Sequence, residues 1–513
     1  MDSDLRRQRQ LIQSLRDSRH CGVTPASAEL IETHISYVLL AGEHAYKIKK
    51  AVNLGFLDFS TLARRKHFCE EELRLNPRLA PGIYESVVPI GGSWEDPLIG
   101  GTPAMEYAVR MHRFSQACLL DRLLGTGTVH AEHFEDFAAT LAMFHASVPR
   151  ATPDQHFGTA QAIYRPVMEN FEQIARALGQ AAVPTDLHDW SENRFAELHP
   201  RLDQRREQGF IRECHGDLHL GNMLLKEGRM MAFDGIEFSA ALRWIDTISE
   251  VAFLFMDLEE RGRADLGWRF LNAYLDETGD HAGLGLLDFY LVYRALVRAK
   301  VAALRVVQIQ DRETALQQFH GYVDYARQKT RPHRAFLAIT HGLSGSGKTF
   351  VSTRLMEQLG AIRLRSDVER KRLAGLAPLE KSHSSLTDDL YSDQQTNRTY
   401  EHLAKLTGAL LSLGFSVIVD ASFLNAAHRQ QFRALADTMK LEFRIVACRA
   451  GPSTLAARID DRTRDASEAT RDVLKQQQQS YVELASQEQA ATWIIDTESS
   501  TDQSLARLVA NLR

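Results

Sequence analysis

Two short stretches hold side chains whose types and spacing suit phosphate chemistry. Gly342-Leu343-Ser344-Gly345-Ser346-Gly347-Lys348-Thr349 is a complete GxxxxGK[ST] pattern, entered by an apolar run and left by a helical one. Glycines at these places let the backbone curl until its N–H groups face phosphate oxygens, and the helix N-terminus that follows adds positive partial charge. Lys348 then reaches the β- and γ-phosphates of ATP, and Thr349 holds Mg²⁺. The second stretch, "CHGDLHLGNMLL" from Cys214 to Leu225, sets His215, Asp217, His219 and Asn222 between apolar runs.

These residues need elements to hold them. "HISYVLLAGEHAYKIKK" (34–50) reads as two strands joined at "AGEH". A helix is predicted from Ser60 as N-cap to a stop at Pro81. "YESVVPIGG" and "AMEYAVRMHRF" read as strands, and 116–210 is mainly helical, with "FEDFAATLAMFHASV" at helical spacing. "RMMAFDGIEFS" reads as a strand ending in Asp234, before further helices to about 328. At "KTRPHR" the pattern changes. "AFLAITH", "IRLRS", "FSVIVDAS", "FRIVACRA" and "TWIIDT" then alternate with helices, the rhythm of a parallel sheet. The glutamine run at Lys475 reads as surface.

Length and composition bound the rest. The 513 residues exceed one ordinary core, so two domains are expected, 1–330 and 331–513. With 44% hydrophobic and 25% charged residues the balance is that of a globular protein. A net charge of −5 gives no global basic field to recruit nucleic acid. The five cysteines are scattered without a CxxC pair, which argues against a disulfide framework or a zinc site of that type and fits a cytoplasmic location. The polar N-terminus does not read as a signal peptide, and no apolar run approaches a membrane span.

The C-terminal half resembles the P-loop small-molecule and polynucleotide kinases, including gluconate-kinase-like, zeta-toxin-like and phage polynucleotide-kinase-like proteins. The resemblance rests on the phosphate loop, on Asp367 in "RLRSDVERKR", on "DASFLNAAHR" from Asp420, and on arginines in "RIDDRTRD". It implies that Asp367 acts as base on an acceptor hydroxyl and that Arg370 binds phosphate or substrate. It implies that Asp420, Asn425 and Arg429 line the acceptor site and that Arg458, Arg462 and Arg464 lie on a lid, and Asp420 is also a candidate metal ligand with Thr349. Read from the residues alone, Asp367 is also a candidate helix N-cap.

HGDxxxxN at His215–Asn222 resembles the catalytic loop of the aminoglycoside phosphotransferase and choline kinase group, a branch of the protein-kinase-like fold. In that reading Asp217 approaches the acceptor hydroxyl, Asn222 holds Mg²⁺, and Asp234 adds a second carboxylate to the metal. The resemblance asks "HAYKIKK" for the phosphate-binding lysine. Lys47 is preferred, because Ala45 stands two positions before it, with Lys49 second. Glu72 of "CEEEL" is the preferred partner, with Glu70 and Glu71 open. Glu106, Tyr107 and Ala108 would offer their backbone to adenine, "LAMFHA" resembles a helix of this group, and Glu250 stands in the segment that braces the loop. His215 and His219 are read as bonding loop backbone.

The whole chain thus resembles bacterial two-domain proteins that join an aminoglycoside-phosphotransferase-like domain to a P-loop kinase-like one. The fold expected is an α+β protein-kinase-like domain followed by an α/β P-loop domain with a parallel sheet. The function implied is bifunctional phosphotransfer from ATP, with Mg²⁺, to hydroxyl acceptors that the sequence does not name. Two alternatives stand beside it: a nucleotide-binding regulatory N-terminal module, and a C-terminal kinase of nucleic-acid 5′-hydroxyls.

Overall fold

The computed structural model describes residues 2–17, 28–55, 57–308, 311–332, 334–381, 392–461, 466–479, 481–499 and 501–512. They form two compact units, Met1–Asp257 and Leu258–Arg513. The expected limit at 330/331 lies inside the second unit, whose leading helices include Ala264–Thr278, Leu287–Gln308 and Arg312–Lys329.

The first unit opens with an antiparallel six-stranded sheet. Its strands are β1 (Glu29–Glu32), β2 (Ser36–Ala41), β3 (His44–Lys49), β4 (Tyr84–Gly92), β5 (Pro97–Ile99) and β6 (Glu106–His112), in the order β1-β2-β3-β6-β4-β5. The turn between β2 and β3 has only Gly42 and Glu43, and Gly42 takes the positive φ of 58° that so tight a turn requires. Alternation puts Lys47 and Lys49 on one face of β3 and Tyr46 and Ile48 on the other. The Tyr46 face packs on Leu11, Ile12 and Leu15 of helix Asp2–Asp17.

Helix Leu62–Leu75 packs across the lysine face. Its N-cap is Thr61, whose hydroxyl accepts from Arg64 N–H, rather than Ser60. It ends at Leu75, not at Pro81: Asn76 keeps helical backbone at φ −75° and ψ −32°, but Pro77 has no N–H to continue the ladder and the chain passes into the 3₁₀ turn Asn76–Arg78. Arg65, Cys69, Glu72 and Leu75 recur at helical spacing as its buried face. A helical part follows, with Ala131–Ser147, Ala160–Leu178 and Thr185–Glu207. Short strands β7 (Ile211–Glu213), β8 (Met223–Lys226), β9 (Arg229–Ala232) and β10 (Trp244–Asp246) pair as β7–β10 and β8–β9. β9 stops at Ala232, two residues short of Asp234.

The second unit contains a parallel five-stranded sheet of β11 (Phe336–His341), β12 (Ile362–Arg365), β13 (Val417–Asp420), β14 (Glu442–Arg449) and β15 (Thr492–Asp496), in the order β12-β13-β11-β14-β15. β11 and β13 are buried at every residue, as strands covered by helices on both faces must be. The chain travels from β11 to one side of the sheet and then to the other. The strand order therefore reverses beside β11 and leaves a crevice at the carboxyl ends. Among the described residues, no helix is long and apolar enough to cross a membrane.

Candidate active sites

In the first unit, β3 and helix Leu62–Leu75 bring two lysines to one glutamate. Lys47 Nζ donates to Glu72 Oε1 at 2.7 Å, and Lys49 Nζ donates to Glu72 Oε2 at 2.7 Å. Lys47 also donates to Asp234, and Lys49 to Glu237. Glu72 is the residue that turns inward, while Glu71 pairs with Arg74 and Arg243 and Glu70 lies exposed near Lys66. Lys49, Glu72 and Glu237 are almost wholly buried. Burial opposes the charged form of Lys47, yet Asp234 and Glu72 outweigh it and raise its pKa well above the ordinary lysine value. Burial likewise works against the Glu72 carboxylate, and the two ammonium groups overcome it, holding the group at about 2.

The HGDxxxxN stretch is a loop with a single 3₁₀ turn, Leu220–Asn222. Asn222 Nδ2 donates to Asp217 Oδ2 at 2.9 Å and to the Asp217 carbonyl at 3.1 Å. His215 Nδ1 accepts the Asp217 N–H, so its Nε2 carries the proton donated to the Phe233 carbonyl at 2.9 Å. Burial lowers the His215 pKa and keeps that neutral tautomer. His219 Nδ1 accepts the Gly221 N–H at 3.1 Å. Both histidines thus bond loop backbone.

Two acidic residues hold the loop from outside. Glu250 Oε1 accepts the Gly216 N–H at 2.7 Å while Oε2 meets His145 Nε2 at 2.9 Å, and Asp257 accepts the Leu220 N–H at 2.9 Å. Burial pushes the Glu250 carboxyl up, but the His145 hydrogen bond and charge outweigh it and leave the pKa below its ordinary value. Asp234 itself sits at φ 61°, a left-handed turn that an Asp tolerates. Its N–H is held by the Tyr84 hydroxyl at 3.1 Å, and Gly235 N–H by Asn76 Oδ1 at 2.7 Å. This turn lets the carboxylate leave the strand end and reach Lys47.

Glu106, Tyr107 and Ala108 open β6, an interior strand of the sheet. Ala108 has a backbone partner on either side, whereas Glu106 and Tyr107 are paired with β4 only. Glu106 is buried and accepts from Arg65 Nε at 2.9 Å and Gln8 Nε2 at 2.6 Å, and its carboxylate also takes the Tyr107 N–H. Pairing on both sides therefore leaves Ala108 no backbone for adenine.

In the second unit, the phosphate loop joins β11 to helix Lys348–Leu359. Gly342, Gly345 and Gly347 take φ of 145°, 80° and 85°. A Cβ at Gly345 would lie 2.5 Å from the Leu455 carbonyl oxygen, so close packing as well as backbone shape requires glycine there. The loop borders a cavity of about 730 Å³ whose walls include Lys348, Thr349, Asp367, Arg370, Asp420 and Asn425. Lys348 Nζ donates to the Leu343 carbonyl at 2.8 Å. Asp420 ends β13 and accepts from Ser352 Oγ at 3.1 Å.

Asp367 lies inside helix Ser366–Leu373, whose N-cap is Arg365, so Asp367 is not the cap. Arg370 Nη1 reaches Thr396 Oγ1 at 3.4 Å. Asn425 caps helix Ala426–Thr438, its Oδ1 accepting the Ala427 N–H at 2.9 Å, while still bordering the cavity. Arg458 Nη1 donates to Thr497 Oγ1 at 2.8 Å and reaches the Gly345 carbonyl at 3.4 Å, which sets it against the loop. Arg429 is a correction. Its buried guanidinium forms a two-bond pair with Glu488 at 2.6 and 2.9 Å and donates to the Phe423 and Leu424 carbonyls, so it is a structural tie and does not face the acceptor. Arg462 and Arg464 lie outside the described residues.

The sequence reading also passed over several residues. Tyr84, Glu237 and Asp257 carry no motif of their own. Gln477, from the glutamine run read as surface, borders the cavity, and its Oε1 accepts the Ser344 N–H of the phosphate loop at 2.8 Å. His341 bridges the Phe423 carbonyl at 3.1 Å and the Tyr481 hydroxyl at 3.3 Å, and burial pushes its pKa down to about 4.

A protein-kinase-like sheet with an HGDxxxxN loop, and a parallel sheet with a phosphate loop, define the class: the protein is a kinase/phosphotransferase. A family model described as "Phosphotransferase enzyme family" matches residues 111–290, and one described as "AAA domain" matches 337–484. Uncharacterized proteins of Mycobacterium tuberculosis and Mycobacterium bovis are each 32% identical to it over 449 residues, 86% of this chain and 88% of theirs. The chain belongs to the two-domain family that these mycobacterial proteins represent. Among solved structures, a choline/ethanolamine kinase family protein from Mesorhizobium loti is similar at 11% identity and TM-score 0.39, over 63% of this chain and 95% of its own. A gluconokinase from Sinorhizobium meliloti is similar at 20% identity and TM-score 0.26, over 36% of this chain and 97% of its own.

Proposed function

We propose that the chain is a bifunctional ATP-dependent phosphotransferase with two separate ATP sites, one in the kinase-like domain and one in the P-loop domain from 331 onward, each serving its own hydroxyl acceptor. The observation that carries this reading is that each unit has its own lysine and its own set of oxygen donors. One has Lys47 between Glu72 and Asp234, beside a loop that pairs Asp217 with Asn222. The other has Lys348, Thr349, Asp367 and Asp420.

The donors fit Mg²⁺, which prefers oxygen ligands. Asp234 and the Asn222 amide oxygen would hold it in the first unit, Thr349 and Asp420 in the second. Bound there, it neutralises phosphate charge. The chain's own residues do the rest. Lys47 or Lys348 orients the phosphates of ATP. Asp217 or Asp367 takes the acceptor proton as the acceptor oxygen bonds to the γ-phosphorus and the bond to the ADP oxygen breaks. Arg370 and Arg458 supply positive charge beside the second cavity.

The test uses the full chain with ATP against sugars, aminoglycosides, nucleosides and 5′-hydroxyl oligonucleotides. Asp217→Asn and Lys348→Ala should each remove one acceptor-dependent activity and spare the other. One acceptor activity lost only in Lys348→Ala, with nucleotide binding at the first site intact, would sink the bifunctional reading.

One observation favours a second reading, a regulatory first domain. The turn Thr33–Ile35 between β1 and β2 has no glycine and is closed on itself. Thr33 Oγ1 accepts the Ser36 N–H at 2.9 Å, and Thr33 N–H donates to the Ser36 carbonyl at 2.9 Å. Such a turn offers few N–H groups to a phosphate.

A further inference from the structure

On the outer face of the six-stranded sheet, away from Lys47, three side chains converge that no step of phosphotransfer uses. His44 and His112 are register partners on β3 and β6. Glu85 is the extra residue of a β-bulge between Tyr84 and Ser86 on β4. Bulges re-aim side chains, and this one brings the Glu85 carboxylate to both imidazoles. His44 Nε2 lies 3.3 Å from Glu85 Oε1, and His112 Nε2 lies 2.9 Å from the same oxygen. The two rings stack with centroids 5.9 Å apart and 23° between planes. The other carboxylate oxygen, Oε2, forms an ion pair with Arg110, whose Nε is 2.5 Å away.

We propose that His44, Glu85 and His112 form a binding site for a divalent transition-metal ion of the Zn²⁺ kind, separate from any Mg²⁺ used with ATP. The spacing supports this. Tetrahedral bonds of about 2.0–2.1 Å put neighbouring ligand atoms roughly 3.3–3.4 Å apart. The two measured separations lie at or within about half an ångström of that edge, so a small opening of the cluster admits the ion. Two imidazoles with one carboxylate select Zn²⁺, Ni²⁺ or Cu²⁺ over Mg²⁺, which prefers oxygen alone. Arg110 stands beside the carboxylate as its charge partner, a place where metal sites commonly keep an outer contact. Both histidines are part exposed, so an ion reaches them from solvent. A bound ion ties β3, β4 and β6 together at one end, and β3 is the strand that carries Lys47.

The experiment is titration of the full-length, chelator-treated protein with Zn²⁺ by calorimetry, and with Co²⁺ by visible absorption. Wild type is compared with His44→Asn, His112→Asn and the control His188→Asn, which lies in a separate exposed His–Asp–Glu cluster. Wild type and His188→Asn should bind one more equivalent of Zn²⁺ than His44→Asn and His112→Asn. They should also give the absorption of four-coordinate Co²⁺ and gain thermal stability with Zn²⁺, all of which the other two variants lose. Equal Zn²⁺ binding and equal Co²⁺ spectra in all four proteins would overturn the proposal and leave the cluster an ordinary ion-pair group.

Discussion

The two units hold their lysines in opposite ways. Lys47 and Lys49 are locked into a buried lattice with Glu72, Glu237 and Asp234. Lys348 borders an open cavity and donates to a carbonyl of its own loop. The first arrangement needs charges brought together from β3, a helix and a turn far along the chain. The second needs little beyond one strand–loop–helix unit. Electrostatic preorganisation is therefore assembled by tertiary structure in one unit and by local backbone in the other.

Four experiments would break or sharpen that contrast. The largest effect is expected for Asp217→Asn. Removing the proposed base should lower transfer at the proposed first site about 10²–10⁴-fold and leave activity dependent on Lys348 unchanged, read as kcat on the two acceptors. Lys49→Met comes next. It leaves Glu72 and Glu237 buried with one cation fewer, a change that costs about 3–5 kcal/mol. Lys348→Met removes the hydrogen bond to the Leu343 carbonyl, about 0.5–1.5 kcal/mol. Denaturant unfolding that gave equal losses for the two lysines would dissolve the contrast.

Acid should separate the units as well. His341 has its pKa depressed to about 4 by burial, so the unfolded chain takes up that proton first. Its contribution is complete above the ordinary histidine range and declines as pH falls from about 6.5 toward 4. Glu72 is held at about 2 by Lys47 and Lys49 against its burial, so its contribution is present above the ordinary carboxylate range. It is lost as pH falls from about 4.3 through 2. Melting temperature against pH should show the earlier decline flattened in His341→Asn and the later one in Glu72→Gln.

The smallest effect concerns Gln477, whose Oε1 meets the loop N–H that a phosphate oxygen would accept from. Gln477→Ala should tighten ATP binding at the second site by about 2–10-fold, the value of one net hydrogen bond. Weaker binding in the calorimeter would instead make Gln477 a nucleotide contact.

The phosphate loop and the five parallel strands could be read from sequence because each depends on neighbours a few residues away. A GxxxxGK[ST] run between a strand and a helix has little freedom to fold otherwise. The hairpin of β2 and β3 was legible for the same reason, with Gly42 marking its turn. The errors share a cause too. Asn425 and Arg429 look alike in a motif, yet only Asn425 borders the cavity, because Glu488 arrives from 59 residues on to take the guanidinium. Glu106 does open its strand, and contacts to Arg65 and Gln8 bury its side chain. Gln477 looks like one of a polar run until its helix is laid over the loop.

Sequence alone therefore determined the two kinase-like folds and the residue types available for phosphate and proton chemistry. Tertiary structure decided which of those residues meet. A buried charge persists only where an opposite charge or a hydrogen-bond partner arrives to offset its lost hydration, and such partners come from distant parts of the chain. Lys47 with Asp234, Lys49 with Glu237 and Gly216 with Glu250 are all of that kind.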